Sequence, residues 1–297
     1  MSRRRRAEVE RRLEPFVSWV ELDAARAEAA QAETGDAFPF TLPCVAALGQ
    51  RLALDPFVTF FVGENGSGKS TLMEGVAVAL GYNAEGGTRN FRFVTRSSES
   101  SLGKCLRVAR SHRRPRTGYF LRAESFFNAA SYIEELDREP AFAPPIIDSY
   151  GGRSLHEQSH GESFMALVRN RFEVSGMYLL DEPESALSPT RQLELLREIR
   201  RHCLHGSQFI IATHSPLLLA YPGACIYQLS SQGIQKTSYE ETEHYRVTRS
   251  FLERPRESLS ELFAGLEGGT PGEASSTELD RALATLRALA DAGERKG

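Results

Sequence analysis

Residues 63–71, GENGSGKST, satisfy the pattern G-x-x-x-x-G-K-[ST]. Each residue type in that pattern has a task that a chain of phosphates sets. Gly63, Gly66 and Gly68 let backbone N–H groups turn inward around a polyanion, and the loop residues Glu64, Asn65, Ser67 and Thr71 present those groups. Lys69 can reach β- and γ-phosphates, the Ser70 hydroxyl can ligate Mg²⁺, and a helix N-terminus adds its positive dipole. A glycine-rich turn could match by chance. The context a working loop needs is present, with apolar Phe57–Val62 before it and an amphipathic stretch to Leu80 after it.

Three further stretches carry chemistry. Residues 177–184, MYLLDEPE, end an apolar run in two carboxylates. Asp181 at the strand end suits a Mg²⁺-associated carboxylate, and Glu182 can orient an attacking water as general base. Alone, the run would read equally as a strand entering a proline turn. Residues 208–216, QFIIATHSP, place His214 just past a second apolar strand, where it could contact a γ-phosphate; a histidine there could also be structural. Residues 158–163, QSHGES, are a glycine-containing turn opening into a helix, a weak anion site by itself.

These groups need a sheet to bring them together, and the intervening sequence supplies one. Strands are predicted over 16–22, 38–48, 51–54, 57–62, 89–95, 102–110, 118–124, 176–180, 208–213, 225–229 and 234–239. Pro39 and Pro43 argue that the second is an edge strand. Helices are predicted over 23–34 (or a loop there), 69–80, 125–138, 162–171, 189–204, 240–265 and 277–293. Ser188 serves as cap of the 189–204 helix and Pro189 as its first residue. Alternation of helices with apolar strands implies an α/β sheet. Residues 1–15 read as a basic flexible terminus, 16–266 as one domain, 267–276 as a linker and 277–297 as a terminal helix.

The 297 residues are 41% hydrophobic and 25% charged, the composition of an ordinary soluble protein. No apolar run reaches membrane-spanning length and the first residues lack a secretory segment, so a cytoplasmic location is expected. Cys44, Cys105, Cys203 and Cys225 are far apart and form no CxxC pair, which argues against a disulfide framework or a zinc site. Net charge is −3, yet Arg89–Arg122 holds ten basic residues and one acid, a local +9 against −12 elsewhere. That asymmetry suits a polyanion surface such as nucleic acid; pairing with the acidic remainder, or with ATP, explains it equally well.

Taken in order, the four stretches resemble those of ATP-binding-cassette ATPases, in the soluble branch that includes the SMC and RecF proteins. The likeness is greater still to the small stand-alone bacterial AAA-family ATPases of that branch. GENGSGKST is similar to their Walker A, QSHGES to the signature, LLDEPESALS to the Walker B and D-loop, and THSP to the H-loop; the similarity spans about 16–240. The resemblance implies a P-loop NTPase fold of ABC type: a mixed central sheet with flanking helices, an antiparallel β subdomain, and a helical signature subdomain near 125–172. It also implies ATP and Mg²⁺ as ligands, and an ATP-dependent homodimer. ATP on residues 63–71 of one subunit would be covered by Ser159, Gly161 and Glu162 of the other. Three departures are visible. His160 replaces the usual first signature glycine, Ser188 ends the D-loop where transporters usually have aspartate, and no glutamine lies between Gln50 and Gln158 to act as the Q-loop residue. Glu124 is the candidate replacement as a Mg²⁺ or water contact, with a helix-capping carboxylate as the alternative.

Three functions remain open on sequence. The first is an ATPase acting on nucleic acid, in repair, maintenance or phage defence. The second is the cytosolic motor subunit of a transporter, which the missing glutamine, altered signature and SALS D-loop oppose. The third is an ATP-gated scaffold, which retention of both Asp181 and Glu182 disfavours. Only ninety residues separate Lys69 from Ser159, which excludes a long coiled-coil arm. The client molecule or partner protein is not legible.

Overall fold

The computed structural model describes residues 14–88, 101–123 and 159–263. Its centre is β3 (Val58–Val62), whose VTFFV run is buried at every position. A strand buried on both faces must have neighbours on both edges and helices above and below, which continuous apolar sequence permits. β6 (Gly176–Asp181) and β7 (Gln208–Ala212) are buried throughout for the same reason.

These strands build a six-stranded sheet in the order β5-β6-β7-β3-β8-β9, with β5 (Thr117–Arg122), β8 (Cys225–Ser230) and β9 (Gly233–Thr237). Pairing is parallel from β5 to β8. β8 and β9 are joined by two residues and close the edge as a hairpin, with Gly233 at φ 103°. Because β7 lies between β3 and β6, the C-terminal ends of all three strands open on one edge, where ligands of such sheets bind. A separate antiparallel sheet, β2-β1-β4, comprises β1 (Val17–Leu22), β2 (Leu52–Ala53) and β4 (Leu106–Arg110). The mixed sheet and antiparallel subdomain are as expected. The two sheets are tied by the buried Gln208 amide, which donates to the carbonyls of Val17 and Asp55 and accepts from the Val17 N–H.

α3 (Lys69–Leu80) leaves the phosphate loop and buries Leu72, Met73, Val76, Ala77 and Leu80. It ends at Gly81, which adopts the left-handed φ of 90° that closes a helix. Around it lie α1 (Ala24–Thr34, capped by Asp23 and Gly35), the short α2 (Pro43–Ala46) and α4 (Leu102–Cys105). α5 (His160–Arg171) and α6 (Pro189–Leu204) pack together, and α7 (Pro216–Leu219) follows β7.

Three expectations are corrected. Residues 38–48 form turns and α2, not a strand, because Pro39 and Pro43 withhold ladder donors while Pro43 suits a first helical turn. Residues 102–105 are helical, and only 106–110 form a strand. Gly75 and Gly103 let α3 and α4 approach closely, since a Cβ at Gly103 would lie 2.4 Å from Val78. Residues 240–265 hold two helices, α8 (Glu243–Glu253) and α9 (Pro255–Phe263), because Pro255 cannot continue the first. The strand expected over 89–95, the helices over 125–138 and 277–293, and the 267–276 linker lie outside the described residues.

The chain divides into two units, Met1–Lys236 and Thr237–Gly297. The first holds both sheets; in the second, the described elements are α8 and α9.

In the first unit, His202 is 3% exposed among Phe172, Tyr178 and Phe209. Burial, followed by the neighbouring Arg201, pushes its pKa below the ordinary histidine value. The unfolded chain therefore binds this proton more readily. Stability from His202 is present above pH ~6.5 and is lost as pH falls toward the depressed folded pKa. Denaturant midpoints measured between pH 8 and pH 5 should fall toward acid, and should fall less in His202→Phe.

Candidate nucleotide site

Each loop glycine answers to a contact or a backbone angle. A Cβ at Gly63 would lie 2.4 Å from the Leu229 carbonyl oxygen, and one at Gly68 2.4 Å from Cys44 Sγ. Gly66 and Gly68 have φ of 80° and 91°, which side chains disfavour. Gly68→Ala should lower nucleotide affinity at least tenfold while the chain stays folded, by fluorescent-nucleotide titration and circular dichroism. Glu64, Asn65 and Gly66 form the exposed tip, and Thr71 lies in the first turn of α3.

Lys69 is 4% exposed, and its Nζ donates to the carbonyls of Gly63 and Glu64, both at 3.0 Å. The ammonium is thereby held at the centre of its own loop. Burial lowers its pKa, and the carboxylates of Glu182, Asp181 and Glu184 oppose that shift. Ser67 Oγ is buried without a hydrogen-bond partner, an orphan donor in the loop, while the Ser67 N–H donates to the Glu64 carbonyl at 3.2 Å. A phosphate chain satisfies such a cradle.

Ser70 Oγ donates to Asp181 Oδ1 at 3.2 Å, across 111 residues of sequence. A hydroxyl and a buried carboxylate together are hard oxygen ligands of the kind Mg²⁺ takes beside nucleotide phosphates, so these residues fit that ion. Among the described residues no group of three or more His, Cys, Asp or Glu could hold a metal alone.

Glu182 has φ 51° and ψ 52°, a left-handed backbone uncommon for glutamate and followed here by Pro183. It is held there by its N–H on the Ala212 carbonyl at 3.0 Å and by Ser185, whose N–H and hydroxyl donate to the Glu182 carbonyl. Such a conformation persists only where the surroundings over-determine it. Glu182 Oε1 lies 3.3 Å from His214 Nε2. The His214 backbone N–H donates to the Glu184 carboxylate, on the short turn Pro183–Ala186. Gln192 adds a second tie: it donates to the Leu187 carbonyl at 3.0 Å and accepts from Ser215 Oγ at 2.6 Å.

Lys69, Ser70, Asp181, Glu182 and His214 are thus brought to one strand edge. The signature turn packs beside the Pro183–Ala186 turn that follows Glu182. Ser159 caps α5 and forms a capping box with Glu162, whose carboxylate accepts from the Ser159 N–H at 3.0 Å and hydroxyl at 2.8 Å. Gly161 permits close approach to the Ala186 carbonyl, 3.1 Å from a Cβ there, and Glu162 pairs with Arg191 at 3.7 Å. Ser188 begins α6 without a side-chain cap bond. Glu124 lies outside the described residues.

Part of the basic segment is engaged within the chain. Arg113 covers the Phe16 ring and donates to the carbonyls of Glu14 and Gly206, and Arg110 donates to the Ala79 carbonyl. Arg122 pairs with Glu74 and Asp181. Sequence reasoning missed Glu74, Arg122, Glu184 and Gln192 as members of this neighbourhood. Glu184 alone had a signal, its place in the DEPE run.

Two family descriptions fall on successive parts of this site. One, "AAA domain", matches residues 47–137 and contains the phosphate loop. The other, "AAA domain, putative AbiEii toxin, Type IV TA system", matches residues 148–220 and contains the signature, both carboxylates and His214. Over these two stretches the chain is similar to AAA domains. Similar solved structures include a metal-chelate type ABC transporter in an inward-facing conformation (16% identity, 78% of this chain and 88% of that one, TM-score 0.43). Others are the SMC head domain from Thermotoga maritima (14%, 64% and 92%, TM-score 0.35) and cbiO1 from Clostridium perfringens, part of the ABC transporter complex cbiONQ (16%, 71% and 89%, TM-score 0.41). No curated protein matches this sequence. Among its described residues no helix is long and apolar enough to cross a membrane.

Proposed function

We propose that this chain binds ATP with Mg²⁺ and hydrolyses it, and that two copies close around the nucleotide. The observation that carries the reading is the convergence at one sheet edge of the Lys69 ammonium, the Ser70–Asp181 pair and the Glu182–His214 pair. Lys69 and the loop N–H groups bind the β- and γ-phosphates. Glu182 accepts the proton of a water attacking the γ-phosphorus in line, and the bond to the bridging oxygen breaks to leave ADP. His214, whose main chain is held by Glu184, donates to the γ-phosphate as charge develops on it. Mg²⁺, held through Ser70 and Asp181, would neutralise phosphate charge.

The signature turn supports a two-chain site. The resemblance assigns Ser159, the cap of α5, to the partner's nucleotide. Light scattering with saturating ATP and Mg²⁺ should show a dimer that reverts to monomer with ADP; a monomer in both states would overturn that part. Phosphate release without a dimer would leave hydrolysis standing by itself.

A nucleic-acid client is favoured by the exposed Arg107, Arg114 and Arg116, which remain after the engaged arginines are set aside. Replacing all three with alanine should weaken DNA or RNA binding and reduce the slope of log K against log salt by about one for every phosphate no longer neutralised. An unchanged slope would remove this client. Co-purification with a membrane protein would favour a transporter subunit instead.

A further inference from the structure

Arg122 ends β5 in register with Asp181 at the end of β6. Its guanidinium, only 19% exposed, reaches three different parts of the unit. Nη1 donates to Glu74 Oε2 on α3 at 3.1 Å and to the Ala84 carbonyl at 3.2 Å, while Nε lies 3.6 Å from Asp181 Oδ2. The other oxygen of Asp181 accepts from Ser70. The carboxylate therefore faces the metal-ligating hydroxyl on one side and a fixed monocation on the other. Glu74 and Ala84 hold that cation, so it remains in place when a second cation approaches Asp181.

We propose that Arg122 is a positioning residue that weakens the Ser70–Asp181 site for divalent cations, so that Mg²⁺ is retained only together with nucleotide phosphates. The inference rests on the ATPase reading above. A unit charge several ångströms from a divalent ion opposes its binding by about tenfold even at water-like dielectric, and by more where both are buried. The phosphates of ATP supply the negative charge that Asp181, already paired, does not. Glu74 tempers the effect by neutralising part of the guanidinium charge.

The test is Mn²⁺ binding to the full chain, followed by electron paramagnetic resonance with and without a slowly hydrolysed ATP analogue. Wild type should bind Mn²⁺ tightly only with the analogue. Arg122→Gln should bind it about tenfold more tightly, Arg122→Lys much as wild type, and Glu74→Gln several-fold more weakly. Because Arg122→Gln strands Glu74, the double variant Glu74→Gln/Arg122→Gln serves where the single one fails to fold, and should also bind more tightly. Unchanged or weaker Mn²⁺ binding in Arg122→Gln and the double variant would overturn the inference, as would Arg122→Lys behaving like Arg122→Gln. A wild-type chain that takes up neither analogue nor metal would overturn the ATPase reading and this inference with it.

Discussion

Glu182→Gln is expected to reduce ATP turnover by about 10²-fold or more, the scale of a lost general base, while leaving nucleotide affinity nearly unchanged. Glutamine has the same shape and can keep the left-handed backbone at this position, whose restraints come from Ala212 and Ser185 and not from the carboxylate. Its amide oxygen can still stand 3.3 Å from His214 Nε2. What the substitution removes is the ability to accept a proton. Phosphate release and fluorescent-nucleotide titration on the same preparation separate the two effects. The variant should also trap the ATP-bound dimer if two copies close around nucleotide. Turnover within threefold of wild type would remove Glu182 from the chemistry and leave a binding protein.

Lys69→Ala should impair both binding and turnover, with nucleotide affinity falling at least tenfold and hydrolysis by about 10²–10³-fold, as for removal of one preorganised charged donor. The cause is electrostatic. Lys69 is the buried cation facing Asp181, Glu182 and Glu184. Without it those carboxylates present uncompensated negative charge to the phosphates of ATP, and the Gly63 and Glu64 carbonyls are deprived of their shared donor. Calorimetric titration with ATP and Mg²⁺ checks the first effect and phosphate release the second. Wild-type affinity in Lys69→Ala would mean that the loop does not hold the phosphates. The contrast between the variants is itself diagnostic: one spares binding and the other does not.

Much of this site was legible without coordinates, because its parts are local. The VTFFV, MYLL and FIIA runs are strands whether or not their neighbours are known, since continuous apolar sequence of that length must be buried on both faces. Gly68 and Lys69 announce a phosphate loop because the tight turn and the cation are both set within nine residues. The same locality misled at 38–48, where apolar composition suggested a strand and the prolines in fact start a helical turn. Within Arg89–Arg122 both readings stayed open, because charge counted along the chain says nothing of which arginines already have partners. Arg113 lies on Phe16, 97 positions away in sequence, and Arg122 lies beside Asp181.

By itself the sequence singled out the residues of the proposed chemistry: a glycine loop with one lysine, a hydroxyl and carboxylates suited to a divalent cation, and a glutamate and histidine placed after buried strands. These follow from residue types at short spacing, which backbone geometry converts directly into local shape. Only the tertiary structure decided how those groups face one another. The sheet order β6-β7-β3 brings Asp181 to Ser70, the Ala212 carbonyl helps hold Glu182 in its left-handed turn, and the register of β5 on β6 sets Arg122 against Asp181. Strand order and register depend on how all the apolar faces are buried at once, which no short stretch of the chain encodes.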